Sequence, residues 1–594
     1  MALVIENNLN NKAGNAIIKF FNKHLDLSQL SPLPKNIETG RKFMDKMNIS
    51  QLSYSKYCVL THNSQDYFVH YRPIKNCIKN LLSNPDILKN LMFRYENSKI
   101  EDEKSYREQN SGNWWKRTER SISNHANILS IILYSDATTT DTLGKSSLHP
   151  IYVSLGNIPT WRRNKEDAKQ LLGYLPILSA KNEKEKKSSE FKELARETFH
   201  NSIKFLLDPL FQDDVQREDL IDIRKEVILR NHVNMKEYFD SNTSNLAGLE
   251  QVNNYFWSIP NLNIYAATVP DRMHHLDLGL FKYQIEFTME LLKKKKSLNK
   301  VNERIADIPR HSQLKVFKKE IQLSRLTANM MKIMVFVVDD LQIEDLSEVY
   351  VKWNEMYLLS RSEKFKESDL ENFQKAINDW GDLFIKLFQN ISNSHLKFPK
   401  LHSWIYHIVD TIREYGAING YTTETYESLH KTYVKIPYRL SNKKEVEKQI
   451  MENIRRRAIV SRNRVGKTKT PMAFVSVTLK NGAILRTKND FHHRPWFSNI
   501  AVNMNEEELS EYLSDKGICY AQTLLITEIR LPNKSPMHLA LVQWYDFIEE
   551  TPFVYGCPLL RLVEVYNFIE IEAIEDTIHV VPRFDKNNEY FVRE

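Results

Sequence analysis

An α/β core carrying a helical insertion, preceded by a helical N-terminal region and followed by an all-β module, is the fold class this sequence predicts. Three observations predict it. Two short apolar runs, residues 128–136 and 149–157, have the length and composition of buried strands and are separated by a Thr-, Gly- and Ser-rich turn. A long stretch after them repeats apolar residues at helical spacing. From about residue 470 the pattern becomes short alternating runs, with an Asn481-Gly482 turn between two of them.

Each element follows in order. Residues 1–115 read as mostly helical from the spacing of Ile78, Leu82, Ile87, Leu88, Leu91 and Met92, and end in Ser111-Gly112-Asn113-Trp114-Trp115. The two apolar runs then form adjacent strands that begin a sheet. A charged linker, 181–187, leads into a helix with Phe191, Leu194, Ala195, Phe199, Ile203 and Leu206 on one face. Helices continue at 281–296, 330–341 and 373–391, so the core is placed at 116–465 with its insertion over about 208–400. Strands at 474–479, 483–486, 520–530, 539–545 and 577–581 make a separate module, 470–594.

Composition excludes several classes. With 594 residues, 42% hydrophobic and 11% aromatic, the chain is expected to form two to four packed domains, and disorder is not its main theme. The apolar run 333–338 stops at Asp339, far short of the roughly 18 to 20 residues a membrane helix requires. The N-terminal residues lack the basic-then-apolar layout of a secretory signal. A soluble, non-secreted protein of nucleus or cytoplasm, without a membrane partner, is the expectation. Cys58, Cys77, Cys519 and Cys557 form no close pair, so neither zinc nor a disulfide framework is expected. The formal charge of +8 permits a polyanion partner.

Acids stand out at three distant places: Asp136 at the end of the first apolar run, Asp271 with Asp277 and two histidines in Pro270-Asp271-Arg272-Met273-His274-His275-Leu276-Asp277, and Glu424 with Glu427 at a helix start. Carboxylates on a strand end and on helix starts are what an oxygen-ligand site for divalent metal needs. The spacing of Asp271 and His274 puts both on one side of a helical turn, where a carboxylate can orient an imidazole. His275, His402, His407 and His430 read as structural rather than ligating, since no cysteine accompanies them.

Six segments, Ser111-Gly112-Asn113-Trp114-Trp115, Leu133-Tyr134-Ser135-Asp136-Ala137-Thr138, the run 150–158, Asp271-Arg272-Met273-His274, Phe398-Pro399-Lys400-Leu401-His402 and the run 423–431, occur in the order seen in Plavaka-type transposases. Over about residues 40–460 the chain resembles these fungal-type, CACTA-like DDE transposases. The resemblance implies a ribonuclease H-like core that binds double-stranded DNA, cuts it with Mg²⁺ or Mn²⁺ and joins the ends to a target. It implies Asp136, Asp271 and Glu424 as catalytic and metal-binding acids, with Glu427 able to support or replace Glu424 and His274 completing the Asp-x-x-His motif. It also implies a further strand ending in Asp-x-Pro-Glu and a Cys-x-x-Cys pair before Asp271, and this chain has neither.

That departure makes a transposon-derived protein with impaired cleavage and strand transfer the leading reading. An active Mg²⁺-dependent transposase using Asp136, Asp271 and Glu424 is the alternative, and a non-catalytic chromatin or nucleic-acid interaction protein is a third. Arg455, Arg456, Arg457, Arg462, Arg464, Lys467 and Lys469 form the densest basic segment and suit phosphate contacts along DNA. The C-terminal module resembles the bromo-adjacent homology type of chromatin module, with Trp544, Tyr545, Phe547, Tyr555, Tyr566 and Phe568 read as its core. Trp114 and Trp115 are likewise read as core, and the oligomeric state stays open.

Overall fold

A computed structural model describes residues 1–7, 9–24, 33–47, 49, 52–123, 126–141, 146–211, 230–259, 262–308, 328–464, 472–491, 494–503, 518–529, 535–548, 558–582 and 588–593. They mix helix and sheet and divide into two bodies, residues 53–439 and residues 1–52 with 440–594. Among them no helix is long and apolar enough to cross a membrane.

The 53–439 body is built on a sheet of β1 (Ser55–His62), β2 (Gln65–Tyr71), β3 (Ile131–Ser135), β4 (Ser147–Leu155) and β5 (Gln170–Leu175). Their order is β1-β2-β5-β4-β3, and every neighbouring pair is antiparallel. The hairpin of β1 and β2 differs from the mostly helical reading of residues 1–115. Its residues are rich in Tyr, Val and Phe, and Asn63 (φ 53°) and Ser64 (φ 61°) supply the left-handed pair that a tight hairpin turn requires. Alternation along the strands sorts the side chains. Val69, Ile151, Val153 and Leu172 form one apolar cluster with Ile74 and Ile78 of α1 (Ile74–Leu82) and Ile203 and Leu206 of α2 (Ser189–Leu207). The start of α2 is fixed by Ser188, whose hydroxyl accepts from the Phe191 N–H at 3.1 Å.

The ladder between β3 and β4 breaks at a defined point. Ser135 pairs with Ile151 and Thr138 with Leu148, so Asp136 and Ala137 lie off the ladder opposite His149 and Pro150. Proline has no N–H to give, which accounts for the break. Asp136 is thereby freed at the end of β3.

The insertion packs α3 (Phe281–Lys294), α4 (Leu346–Leu359), α5 (Glu367–Phe388) and α6 (Pro399–Tyr415) around one apolar cluster running from Leu276 to Ile418. Trp353, Trp380 and Trp404 are fully buried in it. The cluster also takes in Tyr106, because Ser105 and Tyr106 pair with Lys366 and Phe365 in a small sheet. The helices therefore run past the expected limit near residue 400. The chain then returns to the first sheet as α7 (Glu424–Leu429), where the Tyr426 and Ser154 hydroxyls share a hydrogen bond of 2.5 Å. Just beyond α7, the Tyr174 hydroxyl donates to the Tyr433 carbonyl at 2.7 Å.

In the other body, β6 (Asn499–Asn503), β7 (Ile518–Ile529), β8 (Met537–Phe547), β9 (Leu559–Glu570), β10 (Ile574–Pro582) and β11 (Glu589–Arg593) close into a ring. The order is β6-β7-β8-β9-β11-β10 and back to β6, all antiparallel. Trp544 and Tyr545 are buried in its two apolar clusters, while Tyr555 lies outside the described residues. The Asn481-Gly482 turn joins two strands as read, pairing Val477 with Leu485.

The structure draws the domain limits differently from 1–115 and 470–594, because the first 52 residues belong to this body. Leu3, Val4 and Ile17 share a cluster with Leu525, Leu541 and Tyr566 of the barrel. A fragment of residues 470–594 alone is therefore expected to bare that apolar face and to aggregate. Residues 1–52 joined by a short linker to 440–594 are expected to be soluble and to melt cooperatively. Size-exclusion chromatography and thermal melts of the two fragments check this, and a monomeric, cooperative 470–594 would show the N-terminal helices to be dispensable.

Candidate metal centre

Three chain segments meet beside the end of β3. One oxygen or nitrogen each from Asp136, His274 and Glu427 lies within 4.8 Å of the other two. Asp136 comes from the break at Pro150. His274 comes from a π-helical stretch, Met273–Leu280, that runs directly into α3. Glu427 is on α7, and a second π-helical stretch, His430–Lys435, begins three residues later. Such wide turns recur at functional sites.

Asp271 governs the His274 ring. Its carboxylate accepts from the Thr423 N–H (2.8 Å), the Thr423 hydroxyl (2.7 Å), the His274 N–H (2.8 Å) and His274 Nδ1 (2.7 Å). Burial alone pushes the Asp271 pKa up, but the donors from His274 and Thr423 overcome this and bring it down to about 2. With Nδ1 spent on Asp271, the other ring nitrogen faces Glu427, its Nε2 3.8 Å from Oε1. The hydrogen bond to Asp271 raises the His274 pKa against the opposing effect of burial.

Glu427 is held just as firmly. His430 Nδ1 lies 3.2 Å from Oε2, and the Tyr134 hydroxyl donates to Oε1 at 2.5 Å. The contact with His430 is the main cause that lowers the Glu427 pKa to about 2. Burial, reinforced by Glu427, pushes the Tyr134 pKa upward, so the phenol stays a donor. Sequence reasoning missed Tyr134 and Thr423, and their residue types carry no local signal for these roles. Next to the cluster, Ser135 Oγ lies 3.0 Å from His149 Nε2, and burial lowers the His149 pKa.

The structure brings together a different trio from Asp136, Asp271 and Glu424. Asp271 uses its oxygens on Thr423 and His274. Glu424, the first residue of α7, is drawn away into an ion pair with the buried Arg272 guanidinium. Arg272 also donates to the Tyr357 hydroxyl at 3.2 Å, and Tyr357 in turn donates to Asp277 at 2.7 Å. The donor set at the cluster is thus one imidazole and two carboxylates. That chemistry fits a divalent ion with coordination positions left open.

The other singled-out residues have plain settings. His275 contacts Ser403 Oγ at 2.9 Å, and the His402 and His407 rings lie 5.1 Å apart on α6. Trp115 is fully buried, and Trp114 meets it edge-on with ring centres 6.0 Å apart. In the barrel-bearing body, Arg455 donates to the carbonyls of Met44, Asp45 and Met47 at the end of the helix Ile37–Lys46. Arg456 pairs with Asp45 at 2.6 Å and Glu452 at 3.0 Å. These two guanidinium groups of the basic segment are therefore committed within the fold, where they satisfy a helix C-terminus and its acid. Arg457 lies on the same helix, Val446–Arg464. The Arg462 and Arg464 side chains, and Lys467 and Lys469 altogether, lie outside the described residues.

Two comparisons bear on this geometry. Residues 35–238 match the family model described as Plavaka transposase. The matched span holds Asp136 and stops short of His274 and Glu427. A search of curated proteins finds no match.

Proposed function

We propose, from the match of residues 35–238 to the family model described as Plavaka transposase, that the 53–439 body is a ribonuclease H-like transposase core with impaired cleavage and strand transfer. Its substrate class is double-stranded DNA, and it holds a divalent ion, Mg²⁺ or Mn²⁺, at Asp136, His274 and Glu427. The observation that carries this reading is their convergence within 4.8 Å from positions 138 residues (274 − 136) and 153 residues (427 − 274) apart. The antiparallel run β3-β4-β5, followed by α2 packed on one face, with an acid at the end of β3, supports the ribonuclease H-like assignment.

Asp136, His274 and Glu427 would hold the ion, and the chemistry it would supply there is polarisation of a phosphodiester and activation of a water. The chain's own groups prepare the site. Asp271 fixes the imidazole so that Nε2 faces inward, and Tyr134 and His430 keep Glu427 ionised and pointed. Two-ion chemistry needs carboxylates that both ions share, because the ions otherwise repel without compensation. Among the described residues the cluster offers only Asp136 and Glu427 as carboxylates, since Asp271 and Glu424 serve His274 and Arg272. Impairment follows from that division of labour. Arg462, Arg464, Lys467 and Lys469 are assigned to DNA phosphates, and Arg455 and Arg456 to the fold.

The test is incubation of the full chain with duplexes carrying element ends, in Mg²⁺ and in Mn²⁺. Binding that weakens steeply with salt is expected, with no cleavage. Alanine at Arg462, Arg464, Lys467 and Lys469 together should flatten the salt dependence. Cleavage lost alike in Asp136→Ala, His274→Ala and Glu427→Ala would establish an active transposase instead.

A further inference from the structure

We propose that His274 is itself a metal ligand, through Nε2, and that the site therefore selects a first-row transition ion such as Mn²⁺ over Mg²⁺. This rests on the metal-holding reading of the same cluster and goes beyond it in assigning a direct bond from Nε2 to the ion and the selectivity that such a bond brings. The geometry points to it in three steps.

First, the ring cannot rotate freely to serve another role. Nδ1 is engaged by Asp271 at 2.7 Å, and Asp271 is fixed by both the N–H and the hydroxyl of Thr423. A carboxylate that holds one imidazole nitrogen while the other meets a metal is a recurrent arrangement, because it sets the tautomer and strengthens the remaining nitrogen as a donor. Second, the remaining nitrogen faces the carboxylates. Nε2 lies 3.8 Å from Glu427 Oε1, too far for a direct hydrogen bond, and Asp136 completes the set. Third, the donor types discriminate between ions. Mg²⁺ binds oxygen ligands and keeps much of its water, whereas imidazole nitrogen adds affinity for transition ions. An all-carboxylate site would lose that distinction.

The experiment is Mn²⁺ titration of the full chain, read by pulsed electron paramagnetic resonance and by calorimetry in competition with Mg²⁺. The expected spectrum contains nitrogen modulation from a directly bound imidazole, which changes when the protein is made with ¹⁵N-histidine and disappears in His274→Ala. Mn²⁺ is expected to bind more tightly than Mg²⁺ in the wild type, and that preference is expected to fall in His274→Ala. Asp271→Asn is expected to weaken Mn²⁺ about 10- to 100-fold. The wild-type labelling experiment stands even where a variant fails to fold. Bound Mn²⁺ without nitrogen modulation, or modulation that persists in folded His274→Ala, would overturn the proposal while leaving a carboxylate metal site in place. A folded wild-type chain that binds no Mn²⁺ would overturn both this proposal and the metal-holding reading.

Discussion

Replacing Asp271 with Asn is expected to destabilise the metal-free 53–439 body by about 3 kcal/mol, as breaking a buried, charge-assisted network does. The carboxylate is buried and receives hydrogen bonds from Thr423 and His274 on both oxygens. An amide would turn an NH₂ group toward donors and leave at least one of them unsatisfied. The pH dependence separates lost charge from lost packing. Because the folded pKa is lowered from 3.8 to about 2, the ionised form contributes stability that is fully present above about pH 4 and is lost as pH falls through 2. The difference between those values corresponds to about 2 kcal/mol. Glu427, lowered from 4.5 to about 2, adds to the loss over the same acid range. Urea unfolding of wild type and variant at pH 7, 5 and 3 should show a gap that narrows only in acid. A gap independent of pH would mean that the ionised carboxylate is not its source.

Gly416→Ala is expected to cost about 3 kcal/mol or more, since it combines a disfavoured backbone with a collision. Gly416 ends α6 at φ 86°, ψ −169°. A Cβ there would lie 2.6 Å from the carbonyl oxygens of Arg107 and Glu108. The close approach has a purpose in the fold, because the Ala417 N–H donates to the Arg107 carbonyl at 2.7 Å. Gly112 shows the same requirement from the other side, with a Cβ position 2.0 Å from the Glu414 carbonyl oxygen. Gly381, in the interior of α5, is the control: its nearest side-chain atom would be 3.5 Å away, at Ile405. Gly381→Ala should therefore be neutral or stabilise by about 0.5 to 1 kcal/mol. Chemical denaturation of the three proteins distinguishes strain from a general intolerance of alanine.

These contacts explain which parts of the molecule were legible in sequence. The segment Ser111-Gly112-Asn113-Trp114-Trp115 stood out, and its Gly and buried Trp115 have steric reasons to be there. Asp136 was legible as an acid ending an apolar run, and the pairing of Asp271 with His274 was legible from helical spacing. Which of Glu424 and Glu427 would approach Asp136 was not. It is decided by Arg272, 152 residues before Glu424, and by Tyr134, 293 residues before Glu427. The hairpin of β1 and β2 was obscured by the stronger helical periodicity after it, and β5 by the Gly173 within it. Arg455 and Arg456 read as available for DNA because, apart from Glu452, the partners that commit them lie at residues 44–47, more than 400 positions away.

The ring of β6 to β11 also limits how a partner can be recognised. An open sheet can recruit an extended peptide as one more strand, using main-chain groups that have no mate. In a closed ring every strand has a neighbour on both sides over at least part of its length, and β7, which meets β6 and β8, also takes the short strand Met472–Phe474 alongside Glu528 to Ile526. A peptide captured by this body would be read chiefly by side chains on its outer face or by the segments between strands. The sheet of the other body is different, because among the described residues its edge strands β1 and β3 each pair on one side, with β2 and β4 respectively. If the molecule binds any extended chain by main-chain pairing, β1 and β3, the two edges of this sheet among the described residues, are the strands that offer the groups to do it.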